Sequence, residues 1–251
     1  MVGPLAYIGG KNRFATRIIA EFPKHTTYVE PFAGGAQVFF HKAPSAVEIL
    51  NDLDGEIVNF LRVCQHHHDE LVRSINYWVV SRKWHQWLVG SSPETLTDIQ
   101  RAARLLYLQK TSFGGLILRQ NFHYSVTQRS NYNPTRIPEI IRRAHERLQR
   151  VQLECLPYQD IFKKYDRSTT LFYLDPPYWG RRLYRFNFSE RDFQELESRL
   201  RGVKGKFVLS LNDVPEVRRL FSNFHIHAID VSYTAQRSGR RRYGELLISN
   251  Y

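Results

Sequence analysis

Leu171-Phe172-Tyr173-Leu174-Asp175-Pro176-Pro177-Tyr178 is the stretch on which the reading of this chain turns. A short, uninterrupted apolar and aromatic run leads into an acid, two prolines and a tyrosine. Such a run fits a strand buried on both faces of a parallel sheet. Neither proline can donate to a ladder, so the strand ends at once. The chain then leaves the sheet stiffly at its carboxyl edge, where open α/β sheets place their ligands.

That ending suits one kind of chemistry. Asp175 and the Pro176 carbonyl can accept both hydrogens of a flat exocyclic amine, localising the nitrogen lone pair that resonance otherwise spreads into a ring. Tyr178 offers a face for the ring. The plainer reading of the same residues is a strand followed by a tight turn capped by an acid.

Upstream, Thr27-Tyr28-Val29-Glu30-Pro31-Phe32-Ala33-Gly34-Gly35-Ala36 reads as a short strand, a glycine turn and a helix beginning near Ala36. This arrangement admits a ligand close to the backbone. Its spacing is not that of the dinucleotide fingerprint, and an acid at the strand end suits a cationic group such as an amine or sulfonium. A second strand, Val47 to Leu50, ends in Asn51-Asp52-Leu53-Asp54. An acid roughly twenty residues past the glycine turn is where nucleotide-binding α/β folds hold a ribose diol. Asp52 takes that role, and Asp54 reads as a helix N-cap. Nearer the start, Tyr7-Ile8-Gly9-Gly10-Lys11 is a flexible turn with one cation, followed by a helix from Phe14 to Phe22.

The 251 residues suffice for one large domain or one domain with an insertion. No run reaches a membrane span, and the start lacks a secretory pattern, so a cytoplasmic protein is expected. Cys64 and Cys155 are too few and too far apart for a disulfide framework or a metal site. The formal charge of +12 favours a polyanionic partner such as nucleic acid.

Composition changes between residues 55 and 150. Long helical stretches carry Trp78, Trp84 and Trp87, and His66-His67-His68 reads as solvated, since three consecutive residues cannot share a helix face. Ser92-Pro93 marks a helix start, with Ile99, Ala103 and Leu106 on one face. A further helix, Pro138 to Arg150, turns Ile141, Ala144 and Leu148 inward. Between these helices, residues 111–124 form a loop or hairpin with polar and aromatic tips. Residues 101–150 hold ten Arg or Lys against two acids, interleaved with aromatics and amides. That mixture points to nucleic-acid binding more than to a solvated basic face.

Strands resume at Val151–Leu156 and at Tyr158–Phe162, where Asp160 and Ile161 would face an adenine amine and ring. Beyond the Asp175 strand, Arg181, Arg182 and Arg185 with Tyr184, Phe186 and Phe188 read as a clamp over a nucleic-acid strand. Ser189 caps a helix from Glu190 to Leu200. Lys206–Asn212, Phe224–Val231 and Glu245–Tyr251 complete the sheet, the last two as a hairpin. The loop between them carries Arg240, Arg241 and Arg242, placed for phosphate contact.

Taken together, these motifs resemble the Dam-type, D12 class DNA adenine-N6 methyltransferases. The match rests on Tyr7-Ile8-Gly9-Gly10-Lys11, Tyr28-Val29-Glu30-Pro31-Phe32-Ala33-Gly34-Gly35, Asn51-Asp52, Asp160-Ile161, Asp175-Pro176-Pro177-Tyr178 and the closing Glu245–Tyr251. The resemblance implies an α/β fold, a seven-stranded methyltransferase sheet in residues 1–54 and 151–251. It implies a mainly helical target-recognition domain inserted at 55–150. By the same resemblance Tyr7, Gly9, Gly10, Lys11, Glu30 to Gly35, Asp52, Asp160, Ile161 and Asp175 hold S-adenosylmethionine, and Asp175, Pro176, Pro177 and Tyr178 hold the flipped adenine. Double-stranded DNA meets Arg119, Asn121, Arg181, Arg182 and Arg240 to Arg242. No metal is required, and whether a cognate restriction nuclease accompanies the enzyme is left open by the resemblance. Members that read GATC continue differently after Arg-x-Asn, so Arg119-Gln120-Asn121 leaves the recognition sequence open. Methylation of RNA or of cytosine N4, and DNA binding without catalysis, stand as alternatives.

Overall fold

The computed structural model describes residues 2–5, 11–12, 14–112, 120–231 and 243–251. Tyr7, Gly9, Gly10, Arg119, Arg240, Arg241 and Arg242 lie outside these residues.

Among the described residues seven strands form one sheet: β1 (Thr27–Glu30), β2 (Val47–Asn51), β3 (Gln152–Glu154), β4 (Thr170–Leu174), β5 (Lys206–Asn212), β6 (His225–Val231) and β7 (Tyr243–Ser249). They lie in the order β3-β2-β1-β4-β5-β7-β6. The first five pair parallel. β7 runs antiparallel to both β5 and β6, as the closing hairpin requires.

The sheet is covered on both faces, which explains the unbroken apolar runs. Along β4, Leu171 and Tyr173 enter one buried cluster with Tyr28, Phe39 and Leu50. Their neighbours Phe172 and Leu174 enter the other, with Ile161, Phe193, Phe207 and Leu246. Alternate side chains point to opposite faces, so a strand with both faces covered must be apolar throughout. The first layer contains α1 (Ala15–Ala20) and α2 (Gln37–His41). The second contains α8 (Tyr158–Tyr165), α9 (Glu190–Arg201) and α10 (Pro215–Leu220). A capping box between Ser189 and Asp192 starts α9, as its sequence indicates.

The long connection between β2 and β3 holds α3 (Gly55–His66), α4 (His68–Ile75), α5 (Arg82–Gly90), α6 (Asp98–Thr111) and α7 (Ile137–Leu148). Their buried residues continue the cluster on the first face of the sheet. Pro93 opens only a single 3₁₀ turn, Pro93–Thr95. The long helix starts later, at the Thr97–Gln100 capping box. Ile141, Ala144 and Leu148 are buried on α7. Among the described residues no helix is long and apolar enough to cross a membrane. Cys64 is buried and Cys155 exposed, both as free thiols.

One element differs from the sequence reading. Tyr158–Tyr165 is helix α8, not a strand. Pro157 precedes it, with a fixed φ that suits a helix start. Tyr158, Ile161 and Phe162 then recur at the three- and four-residue spacing of a helix face.

Much of the positive charge at 101–150 is also engaged within the protein. Arg101 pairs with Glu56, Arg142 with Glu139 and Glu146, Arg143 with Glu139, and Arg147 with Glu48. Among the described residues Arg129, Arg136 and Arg150 make no ion pair. They, more than the arginines of α6 and α7, remain available to a polyanion.

Candidate active site

β1 and β4 are neighbours, but the chain leaves them toward opposite ends of the sheet. Their carboxyl ends therefore flank the topological switch point, the crevice where such sheets bind ligands. Glu30 closes β1, and Asp175 follows the last residue of β4.

After Glu30 the chain turns sharply. Gly34 has φ +47°, a conformation open to glycine at little cost, and Ala36 follows at φ +48° as the residue preceding α2. The turn aims the Gly34 N–H at Asp52 Oδ2 (2.8 Å), and the Asp54 N–H reaches Asp52 Oδ1 (2.8 Å). Burial pushes the Asp52 carboxyl up to about 6 even though both amides oppose the rise. Asn51 ties three segments together. Its amide donates to the carbonyls of Pro31 (2.8 Å) and Leu156 (3.0 Å), and its Oδ1 accepts from the Leu156 N–H (2.9 Å).

These loops bound a cavity of about 560 Å³. Glu30, Phe32, Gly34 and Asp52 form one wall, Tyr158 and Phe188 another. Phe32, Tyr158 and Phe188 pack with centroids 5.4–5.8 Å apart. Among the described residues the buried Tyr158 hydroxyl has no hydrogen-bond partner. Residues 184–188 line the cavity as a strap. Asn187 bonds the Tyr184 backbone at both N–H and carbonyl, and Arg185 pairs with Asp54 at 3.0 Å.

The two strand-end acids sit in opposite surroundings. Glu30 is buried and accepts a hydrogen bond from the Tyr28 hydroxyl (2.5 Å), but among the described residues no cation pairs with it. Burial pushes its carboxyl up to about 8, with the Tyr28 bond opposing. Asp175 instead meets the Lys11 ammonium at 2.5 Å and the Ser210 hydroxyl at 2.9 Å. Both bonds end on Oδ1. Among the described residues Oδ2 accepts none.

Lys11 also donates to the Tyr178 hydroxyl (2.9 Å) and lies 3.3 Å from Glu245 Oε1. Burial alone would favour its neutral form. The carboxylates of Asp175 and Glu245 outweigh this and hold it well above the ordinary lysine value. Its ammonium is 4.8 Å from the Tyr178 ring centroid, so it lies at the hydroxyl end and not above the ring. Next in the chain, the Trp179 N–H donates to Asn212 Oδ1 (3.0 Å) and its carbonyl accepts from Asn212 Nδ2 (3.3 Å).

Glu30 to Gly35, Asp52 and Asp175 thus come together around one cavity, with Lys11 and Pro177 at its edge. Asp160 and Ile161 do not join them. Asp160 points outward to Lys163 (2.7 Å), and Ile161 is fully buried beneath the sheet. The helical turn of α8 carries both away, leaving Leu156 to Gln159 on the cavity wall. The segment read as a nucleic-acid clamp divides in two. Tyr184 to Phe188 face the cavity, while Arg181 and Arg182 are exposed beyond Gly180, whose φ is +70°. Asn121 is exposed beside the Ser112–Phe122 bridge. Sequence reading missed Asn51 as a tie, gave Ser210 and Asn212 no role in the site, and took Glu245 only as the start of the closing strand motif. Each is a polar residue near a strand end at the ligand edge, a signal visible in the sequence only once the strand order is known.

The model of the D12 class N6 adenine-specific DNA methyltransferases matches residues 7–235. The chain belongs to that family. Type II methyltransferase M1.LlaDCHI of Lactococcus lactis subsp. cremoris is 27% identical over 273 residues, covering 98% of this chain and 94% of its own. Type II methyltransferase M.CviBI of Paramecium bursaria Chlorella virus NC1A is 25% identical over 86% of this chain and 85% of its own. The Retron Ec67 DNA adenine methylase of Escherichia coli is 23% identical over 90% and 82%. The seven-stranded sheet is that of a methyltransferase, and the chain is an adenine-specific DNA methyltransferase of the D12 class.

Proposed function

We propose that this methyltransferase moves a methyl group from S-adenosylmethionine to N6 of an adenine turned out of duplex DNA. The observation that carries the reading is the pair of strand-end acids: Glu30 in the cavity with no cation paired to it among the described residues, and Asp175 held by Lys11 and Ser210 with Oδ2 left to accept.

The cavity suits the donor. Glu30 would take a cationic amino group, Asp52 a ribose diol, and Phe32, Tyr158 and Phe188 a flat ring. The fit rests on the chemistry of the groups present: a buried acid with no cation among the described residues, a second acid held by backbone amides, and three packed aromatic rings. When bound, the donor supplies an electrophilic methyl carried on a sulfonium. Asp175 Oδ2 and the Pro176 carbonyl accept the two amine hydrogens, which returns the lone pair to nitrogen, and once the nitrogen carries the methyl its surplus proton leaves by way of Asp175 Oδ2. Pro176 and Pro177 keep that edge stiff, and the Tyr178 ring supports the base. What the protein contributes is chiefly positioning, worth a large part of the barrier when reacting atoms are held ~3–3.5 Å apart. A base inside the stack cannot reach such a pocket, so it must be flipped.

Exposed Arg181, Arg182 and Asn121 are the described candidates for holding DNA, together with Arg119 and Arg240 to Arg242. The test is to incubate the protein with S-adenosylmethionine and unmodified genomic DNA, then map modified bases by sequencing. N6-methyladenine within one short motif is expected. A donor-binding protein that modifies only RNA, or nothing, would overturn the reading.

A further inference from the structure

Glu245 stands where a strand would ordinarily carry an apolar residue. It lies in β7, between β5 and β6, opposite Asn212 and Ile229. It is 4% exposed. A buried carboxylate is unfavourable unless it is paired and hydrogen-bonded. Its partners are specific: the Tyr178 hydroxyl lies 2.8 Å from Oε1 and 2.6 Å from Oε2, and Lys11 lies 3.3 Å from Oε1.

Strand direction explains how it gets there. β7 is antiparallel to β5, so its amino-terminal end lies at the carboxyl edge of the parallel strands. Leu171, Tyr173, Val208 and Leu247 share one face of the sheet. Alternation places Asp175, Ser210 and Glu245 on that same face, one step nearer the edge. Lys11 bridges Asp175 and Glu245. The Lys11 ammonium on Asp175 Oδ1 and the Tyr178 ring beside it are thus anchored by a carboxylate that does not itself touch Asp175.

We infer that Glu245 is a positioning residue for methyl transfer, fixing the Tyr178 ring and the Lys11 ammonium so that Asp175 presents Oδ2 to the target amine. Resting on the function proposed above, this assigns the closing strand a part in the chemistry. Glu245 acts through Tyr178 and Lys11, and it leaves the donor wall formed by Glu30 and Asp52 untouched.

The test measures kcat, KM for DNA, donor affinity and melting temperature for wild type, Glu245→Gln, Tyr178→Phe and the double variant. Glu245→Gln should lower kcat by ~10–100-fold with donor affinity and melting temperature near those of wild type, the pattern of an interaction needed in the transition state. Tyr178→Phe keeps the ring and the Lys11–Glu245 pair and removes only the hydroxyl bonded to both, so it should cost less. The double variant should fall short of the product of the single effects, because both changes remove one interaction. An unchanged kcat in Glu245→Gln overturns the inference. So does a kcat loss matched by equal losses of donor affinity and melting temperature, or full multiplication of the two effects. Absence of adenine methylation by wild type would instead sink the underlying functional reading.

Discussion

The two halves of the active-site edge handle acidity in opposite ways. At the end of β1, Glu30 and Asp52 are raised by burial, to about 8 and about 6, and are held by a tyrosine hydroxyl and backbone amides. At the end of β4, Asp175 shares a buried cation with Glu245 and takes a serine hydroxyl. Among the described residues the first half pairs neither acid with a cation. The second sets two carboxylates around one buried ammonium and leaves Asp175 Oδ2 as a hydrogen-bond acceptor. On the function proposed above, a cationic donor would meet the acids without a cation partner, and the target amine would meet the acid already held by one.

The largest way to break this contrast is Asp175→Ala. It should lower methyl transfer by at least roughly 10²–10³-fold, the scale for losing one preorganised polar contact in a transition state. Single-turnover transfer of labelled methyl to DNA measures it.

The next effect belongs to the other half. Glu30→Gln removes a charge-assisted contact and should weaken donor binding by ~10–100-fold, in line with about 1.5–3 kcal/mol for such bonds. It should also remove a pH dependence. In the donor-free protein Glu30 holds its proton up to about 8, so a cation binding the ionised form expels that proton below this pH. Donor affinity should therefore rise with pH from about 6 toward 8 in wild type, by up to ~tenfold per unit, and stay flat in Glu30→Gln. The sign for folding is the reverse. With its folded value above its unfolded one, Glu30 makes the donor-free protein less stable as pH rises from the ordinary glutamate range through about 8. Calorimetric titrations and melting curves across that range report both.

A smaller effect sharpens the boundary between donor pocket and DNA surface. Arg181→Gln with Arg182→Gln should weaken DNA binding for every sequence and reduce the salt slope by up to about 2, without changing donor affinity. Arg185→Ala should do the opposite. It breaks the strap's pair with Asp54 and should speed donor release by only ~2–5-fold, since the arginine is half exposed and such pairs are weak. Stopped-flow release of the donor would detect it.

The sheet was largely legible in the sequence because its strands are short apolar runs punctuated by acids, glycines and prolines. Asp175-Pro176-Pro177 and Glu30-Pro31 mark strand ends by local chemistry alone. Helix α8 was mistaken for a strand because Tyr158–Phe162 is apolar at both ends, and Pro157 suits the start of either element. Similarly, Arg101 of α6 and Arg147 of α7 read as part of a DNA surface because their partners are distant, whereas Arg142 and Arg143 pair within α7. Glu48 lies 99 residues from Arg147, and Glu56 lies 45 from Arg101. Glu245 and Ser210 join the site only through strand order and antiparallel register, which no local pattern encodes.

Separation of the two halves is the central claim, and donor affinity in Asp175→Ala tests it most directly. Calorimetric titration of S-adenosylmethionine should give a dissociation constant within about threefold of wild type, in a variant that no longer transfers methyl. A loss of donor binding comparable to that of Glu30→Gln would contradict the account, because Asp175 would then belong to the donor half.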